Sequence, residues 1–190
     1  MLQSIRMAST SKEPTRVIGI DPGLNITGYG VVVSRGSDVK LVEAGVIRLP
    51  PAHGENLPAR LESLFHELQQ IMQEFSPQAM CLEEVYSHAE YPRTAILMGH
   101  ARGVICLAAE IQGIPVLSFS AKRVKQSVTG NGNASKSQVQ RAVQNFFSLT
   151  KAPHPPDVAD ALAVALCYVN AMRYAGNGER RNSKREIRNS

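Results

Sequence analysis

Arg16-Val17-Ile18-Gly19-Ile20-Asp21-Pro22-Gly23 is the stretch that decides the fold. Val17, Ile18 and Ile20 favour a strand, and Pro22-Gly23 ends it in a turn. Asp21 is left as the last residue of that strand. In open α/β folds ligands bind at such strand ends. Read alone, an Asp-Pro-Gly acid could equally do no more than cap its own turn.

Working outward, Gly28-Tyr29-Gly30-Val31-Val32-Val33 returns as a second strand, and Val39 to Arg48 makes a third after the Gly36-Ser37-Asp38 turn. Such short connections imply an antiparallel meander. After a loop from Pro50 to Asn56, Leu57, Leu61, Leu64, Leu68, Ile71 and Met72 recur at helical steps and predict an amphipathic helix ending near Phe75. Gln78 to Val85 is apolar on both faces, as a central strand would be. Thr94 to Gln112 reads as a helix closed by Gly113 and Pro115. Ile114 to Phe119 is a fifth strand, and Ser135-x-x-Gln138 is a capping box opening a helix from Lys136 to about Phe147. Lys151 to Pro156 is a linker to a last, buried helix from Asp157 to about Tyr174. The expected fold is α/β, with a five-stranded mixed sheet (three antiparallel strands, then parallel ones) flanked by helices. Residues 16–174 form one domain, residues 1–15 a disordered extension in which Met7 is an alternative start, and residues 175–190 a disordered basic tail.

Of 190 residues, 43% are apolar and 19% charged, which is ordinary for a soluble globular chain. No stretch approaches the 18 apolar residues of a membrane span, and the polar N-terminus lacks the apolar core of a secretory leader. Cys81, Cys106 and Cys167 are odd in number and lie in apolar segments, so reduced, buried thiols and a cytoplasmic address are expected. The net charge is +5 with a pI near 9.3, a mild bias towards polyanions. Five basic and two acidic side chains of the tail account for +3 of it.

The chemistry lies in acids embedded in apolar runs, where an ionised group is costly unless paired or bound to a cation. Besides Asp21 there are Glu83-Glu84 at the end of Met80-Cys81-Leu82, and Asp157-Val158-Ala159-Asp160 before Ala161-Leu162. Alternation cannot choose between Glu83 and Glu84, because both faces of that strand look buried. Asp157 and Asp160 share one helix face and its first turn, where the helix dipole favours negative charge. Oxygen donors of this kind suit Mg²⁺ or Mn²⁺. Two such ions can activate water and stabilise the leaving oxygen in phosphodiester cleavage. His53, His66, His88, His100 and His154 are too scattered for a zinc site.

These motifs, with Lys125-Gln126-Ser127-Val128-Thr129-Gly130 and Lys136-Ser137-Gln138-Val139, closely resemble those of the RuvC family of bacterial Holliday-junction resolvases, from about Arg16 to Tyr168. The resemblance implies a ribonuclease-H-like fold, a homodimer, and Mg²⁺-dependent nicking of two opposed strands of four-way junction DNA in recombination and repair. Mn²⁺ is expected to substitute, and two ions to act per site. By position it implies Asp21, Glu83, Asp157 and Asp160 as the acidic quartet, and so Glu83 over Glu84. Some relatives have His in place of Asp157.

Lys125 and Lys136 would touch phosphates or the reacting centre, on either side of a flexible Thr129 to Asn133 loop. Tyr86, where Phe is frequent, would stack on an unpaired base at the crossover. The Ile96, Gly99, Gly103, Val104, Leu107 and Ile111 side of the long helix permits close approach within one subunit, and the resemblance makes it the dimer contact instead. Helicase partners of the RuvA and RuvB type are implied by resemblance alone. Three other readings compete: a related nuclease acting on RNA, a non-catalytic junction binder, and an ATP-binding actin-like module. In the last, Asp21-x-Gly23 with Gly28 and Gly30 would cradle a phosphate.

Overall fold

The antiparallel meander forms as the turn residues dictate. Strands β1 (Thr15–Asp21), β2 (Ile26–Arg35) and β3 (Asp38–Arg48) pair in succession, while β4 (Ala79–Glu83) and β5 (Val116–Phe119) add in parallel on the other side of β1. The sheet order is β3-β2-β1-β4-β5, a five-stranded mixed sheet as expected from the sequence, whose strand order the structure adds. The structure is a computed structural model and describes residues 13–23, 25–49, 56–84 and 92–186, with only the backbone path at 92–93 and 175–186. Most of the 1–15 extension, and Tyr86, lie outside the described residues.

Strand alternation sorts the core into two layers. Ile18, Ile20, Met80 and Leu82 face α1 (Leu57–Phe75) and α2 (Pro92–Ile111), while Val17 and Cys81 face α5 (Pro156–Glu186). Helix α1 starts at the Asn56 cap, which accepts from the Ala59 amide, and stops where Ser76 turns left-handed. Its Leu64, Leu68 and Met72 are fully buried, each stabilising the fold by about 1.5–3 kcal/mol. Outside α5 lie α3 (Ala121–Thr129) and α4 (Lys136–Phe146), so α5 is enclosed between the sheet and a further helical layer.

Glycines let α5 lie directly on the sheet. A Cβ at Gly19 would run into the Ala161 carbonyl and stand 2.7 Å from the Ala165 amide nitrogen. At Gly28 it would meet the Asp157 carbonyl, and at Gly30 the Leu162 Cδ2 at 2.5 Å. Glycine inside a strand is often where another backbone comes close, and these are such places.

Several expectations need correction. Helix α3 occupies a segment for which the sequence predicts no element; the Ser120 side chain caps it by accepting from the Arg123 amide, and Val124 anchors it. The loop from Thr129 to Asn133, expected to be flexible, is tied down: Gln126 donates to the Gly130 carbonyl and accepts from the Gly132 amide. Helix α5 runs to Glu186, past the expected end near Tyr174 and through most of the tail read as disordered, since no proline interrupts it. Thr94–Ile111 of α2 is, by length and composition, apolar enough to cross a membrane, contrary to the expectation that no stretch comes near. Its apolarity has two causes: Ala101, Ile105, Ala108 and Ala109 enter the core, while Ile96, Leu107 and Ile111 are 62%, 55% and 57% exposed. Cys81 and Cys167 are buried free thiols, as expected, but Cys106 is only half-buried.

Candidate active site

Asp21 and Glu83 meet because β1 and β4 are parallel neighbours with a fixed register. Val17 pairs with Ala79 and Ile20 with Leu82; one step further, Asp21 stands beside Glu83. Both side chains follow the parity of Val17 and Cys81, and so face α5. Glu84 follows the strand, its amide donating to the Phe119 carbonyl at 2.9 Å. Register therefore places Glu83 on the α5 face, a choice that alternation in the sequence leaves open. The turn after Asp21 is held by buried Thr27, whose hydroxyl donates to the Gly23 carbonyl (2.5 Å) and accepts from the Gly23 amide (3.3 Å).

The acids of α5 arrive by the close approach already described. Asp157 opens the helix, its backbone resting on Gly28, the β2 partner of Asp21. One turn on, Asp160 is half-buried over the strand ends. Lys136, at the start of α4, reaches Asp160 with Nζ 3.5 Å from Oδ2; the lysine side chain is 81% exposed and the carboxylate 21%. A pair so open to water adds little stability, so its significance is placement.

Mutual repulsion shows that the four acids form one group. Burial, then the charges of Asp160, Glu83 and Asp157, push the Asp21 carboxyl up to about 7 from 3.8, with Lys136 opposing. Glu83 is raised by burial and by Asp160, against the pull of Lys136 and Lys125. Asp160 is raised by burial, although Lys136 and Lys125 pull it down. Lys136 in turn is held above its ordinary value chiefly by Asp160. Like charges at one site each disfavour ionisation of the others, and a bound cation would reverse that. Among the described residues, no three acid, His or Cys side chains are already closed into a cation cage. The donor set is nevertheless all oxygen and carries more negative charge than two lysines balance, which fits Mg²⁺ or Mn²⁺.

The structure thus brings together Asp21, Glu83, Asp157, Asp160, Lys125 and Lys136, while Tyr86 falls outside the described residues. Lys125 is half-buried on α3, and its neighbour Arg123 lies over the Phe119 ring at 5.0 Å. Gly28 and Gly30, which suggested a phosphate cradle, are filled by α5 instead. Sequence reasoning missed the role of Gly19, Gly28 and Gly30, although glycines inside β-branched strands were the signal for it.

A family model described as crossover junction endodeoxyribonuclease RuvC matches residues 17–168. A relative from Rhodopirellula baltica, named crossover junction endodeoxyribonuclease RuvC, is 49% identical over 151 residues, covering 80% of this chain and 84% of that protein. The solved structure of T. thermophilus RuvC in complex with Holliday junction substrate superposes with a TM-score of 0.78 at 31% identity, covering 85% of this chain and 97% of that one. The yeast mitochondrial Holliday junction resolvase Ydc2 shares the fold, with a TM-score of 0.64 at 16% identity over 96% of this chain and 89% of that one.

Proposed function

The chain belongs to the RuvC family of crossover junction endodeoxyribonucleases, and on that premise we propose how its own residues bind and cut a four-way junction. Its activity is that of a junction-resolving endonuclease acting in recombination and repair, of a family that depends on divalent metal. Neither the RNA-directed nor the non-catalytic alternative is favoured. The observation that carries the site assignment is the convergence of Asp21, Glu83 and Asp160 from three separate elements, where burial first and the neighbouring acids second raise the Asp21 carboxyl to about 7.

In this reading Asp21, Glu83, Asp157 and Asp160 hold Mg²⁺, two ions per site, with Mn²⁺ able to substitute. Bound there, such ions would supply charge stabilisation for the reacting phosphate and help activate water. Lys136, exposed and tied to Asp160, is placed to meet a phosphate at the edge of the acid group. Lys125, acting on Glu83 and Asp160 from α3, anchors the strand on the same side. Tyr86, three residues past Glu83, stacks on a base opened at the crossover.

The second cut requires a second quartet, and the outer side of α2 supplies the contact with a twin. Among the described residues, Gly99 and Gly103 have nothing within 4 Å of where a Cβ would sit, which leaves room there for a close neighbour. They lie among exposed Ile96, Leu107 and Ile111, an apolar stripe suited to a two-fold helix contact. A homodimer then presents two sites to a junction of matching symmetry and nicks two opposed strands. Delivery by a RuvA–RuvB type branch-migration complex, in the cytoplasm, completes the reading.

Asp21→Asn tests the site. It should bind labelled four-way junctions with unchanged affinity while losing at least about 100-fold in Mg²⁺-dependent nicking, because an amide is a poorer cation ligand. Near-normal cutting at saturating Mg²⁺ refutes the assignment.

A further inference from the structure

The end of β4 carries a backbone group that its own sheet does not satisfy. In the peptide joining Glu83 to Glu84, the amide points to β5, where the Phe119 carbonyl accepts it at 2.9 Å. The Glu83 carbonyl lies on the opposite side of the same plane and points towards β1. Continuing the β1/β4 register past Ile20 and Leu82 brings that carbonyl to the amide of residue 22, and residue 22 is proline, which has no N–H. The break that makes Asp21 the last residue of its strand therefore leaves Glu83 without a ladder partner on that side.

Arg102 takes the vacant role. From the third turn of α2 its Nη1 donates to the Glu83 carbonyl at 2.7 Å, and its Nη2 donates to the Ser118 hydroxyl on β5 at 2.6 Å. One planar guanidinium thus straddles the ends of two strands, with the two bonds fixing its orientation. Arg102 thereby links α2 to the last residue of β4. Arg102 also stands in sequence between Gly99 and Gly103, where a Cβ would meet no described residue.

We propose that Arg102 is a positioning residue for the cutting reaction: by supplying the donor that Pro22 lacks, it fixes the backbone at Glu83 and so aims the Glu83 carboxylate at the cation site. The inference rests on the reading of Glu83 as a cation ligand. It makes α2 a helix with two duties, one side towards a twin and one side chain holding the site.

The test is calorimetric titration of the full-length protein with Mg²⁺ alone, without DNA. Sedimentation and thermal unfolding run alongside on wild type, Arg102→Gln, Arg102→Lys, Ser118→Ala and Glu83→Gln. Loss of a group that orients a metal ligand costs about 10-fold or more in metal affinity, and that is the expectation for Arg102→Gln, with unchanged mass in solution. Arg102→Lys should recover part of the loss by restoring one of the two bonds, and Ser118→Ala should lose less than Arg102→Gln. Wild-type Mg²⁺ affinity in Arg102→Gln overturns the proposal. If that variant unfolds or changes mass, wild-type affinity in both Arg102→Lys and Ser118→Ala overturns it instead. Glu83→Gln separates the two levels: wild-type Mg²⁺ affinity there overturns the underlying reading of Glu83. Weak binding by Glu83→Gln beside normal binding by Arg102→Gln overturns the positioning role alone.

Discussion

Gly19, Gly28 and Gly30 are filled from within, whereas Gly99 and Gly103 meet no described residue. The first three lie on the sheet beneath α5, where the Ala161 and Asp157 carbonyls and the Leu162 side chain occupy the room a Cβ would need. The other two lie on the outer side of α2, among exposed apolar residues. A glycine whose missing side chain is replaced by its own chain is explained by the folding of one subunit. A glycine that meets no described residue, on an apolar helix face, suits the second body proposed above. One residue type thus marks the construction of a single site and, in the proposed dimer, the doubling of it.

The largest expected effect comes from breaking the filled set. Gly19→Ala would drive a methyl into the α5 backbone, which cannot yield as a flexible side chain would. Urea unfolding should show a loss of about 3 kcal/mol or more, at the upper end for overpacking. A loss below about 1 kcal/mol would mean that α5 does not lie directly on the strand.

Next comes the electrostatic cost of pressing the acids together. Burial and neighbouring acids raise Asp21 to about 7 in the folded chain, against 3.8 as its ordinary value. A raised acid binds its proton more tightly when folded, so the penalty is absent below the unfolded value. It grows as pH rises from 3.8 towards 7 and is complete above 7. Asp21→Asn removes it, so in EDTA at pH 8 the variant should be more stable than wild type by on the order of 2 kcal/mol, with about 4 kcal/mol as the ceiling. The gain should shrink to about a third at pH 5 and vanish below pH 4. Adding Mg²⁺ at pH 8 should stabilise the wild type and not the variant. A thermal-unfolding series over pH, with and without the ion, measures all of this.

The smallest effect on the fold of one subunit is expected at the open set. Gly103→Leu replaces a flexible residue in an exposed helix by a good helix former and should stabilise the subunit by under about 1 kcal/mol. The same change should overpack the twin contact and shift sedimentation towards the monomer. On a cruciform plasmid, single nicks that relax it should then accumulate ahead of the paired nicks that linearise it. A variant that stays dimeric and linearises normally would remove the open glycines from the interface.

The sequence makes the strands and the two long core helices legible because their apolar periods are long and their ends carry Pro, Gly or a capping box. Helix α3 is not legible: it has nine residues, one buried anchor, and three basic side chains that read as a solvated connection. The choice of Glu83 over Glu84 requires register, a relation between strands that no single strand carries; the family resemblance anticipates it. Arg102 leaves no trace in the pattern, because its partner is a backbone carbonyl 19 residues away. Gly28 and Gly30 are visible but point the wrong way, since a phosphate and a helix backbone both demand the absence of a side chain.

The enclosure of α5 has a consequence for how the protein loses activity. Its N-terminal end carries two of the acids, and its next stretch, from Ala161 to Cys167, is buried throughout, between the sheet and α3 and α4. The amides of that stretch can reach solvent deuterium only when the whole core opens, so their exchange reports the global unfolding free energy. A site mounted on such an element has no private way to melt. Heat that disperses the acids has already opened the core, and for this enzyme the inactivation half-life becomes a clock for unfolding itself.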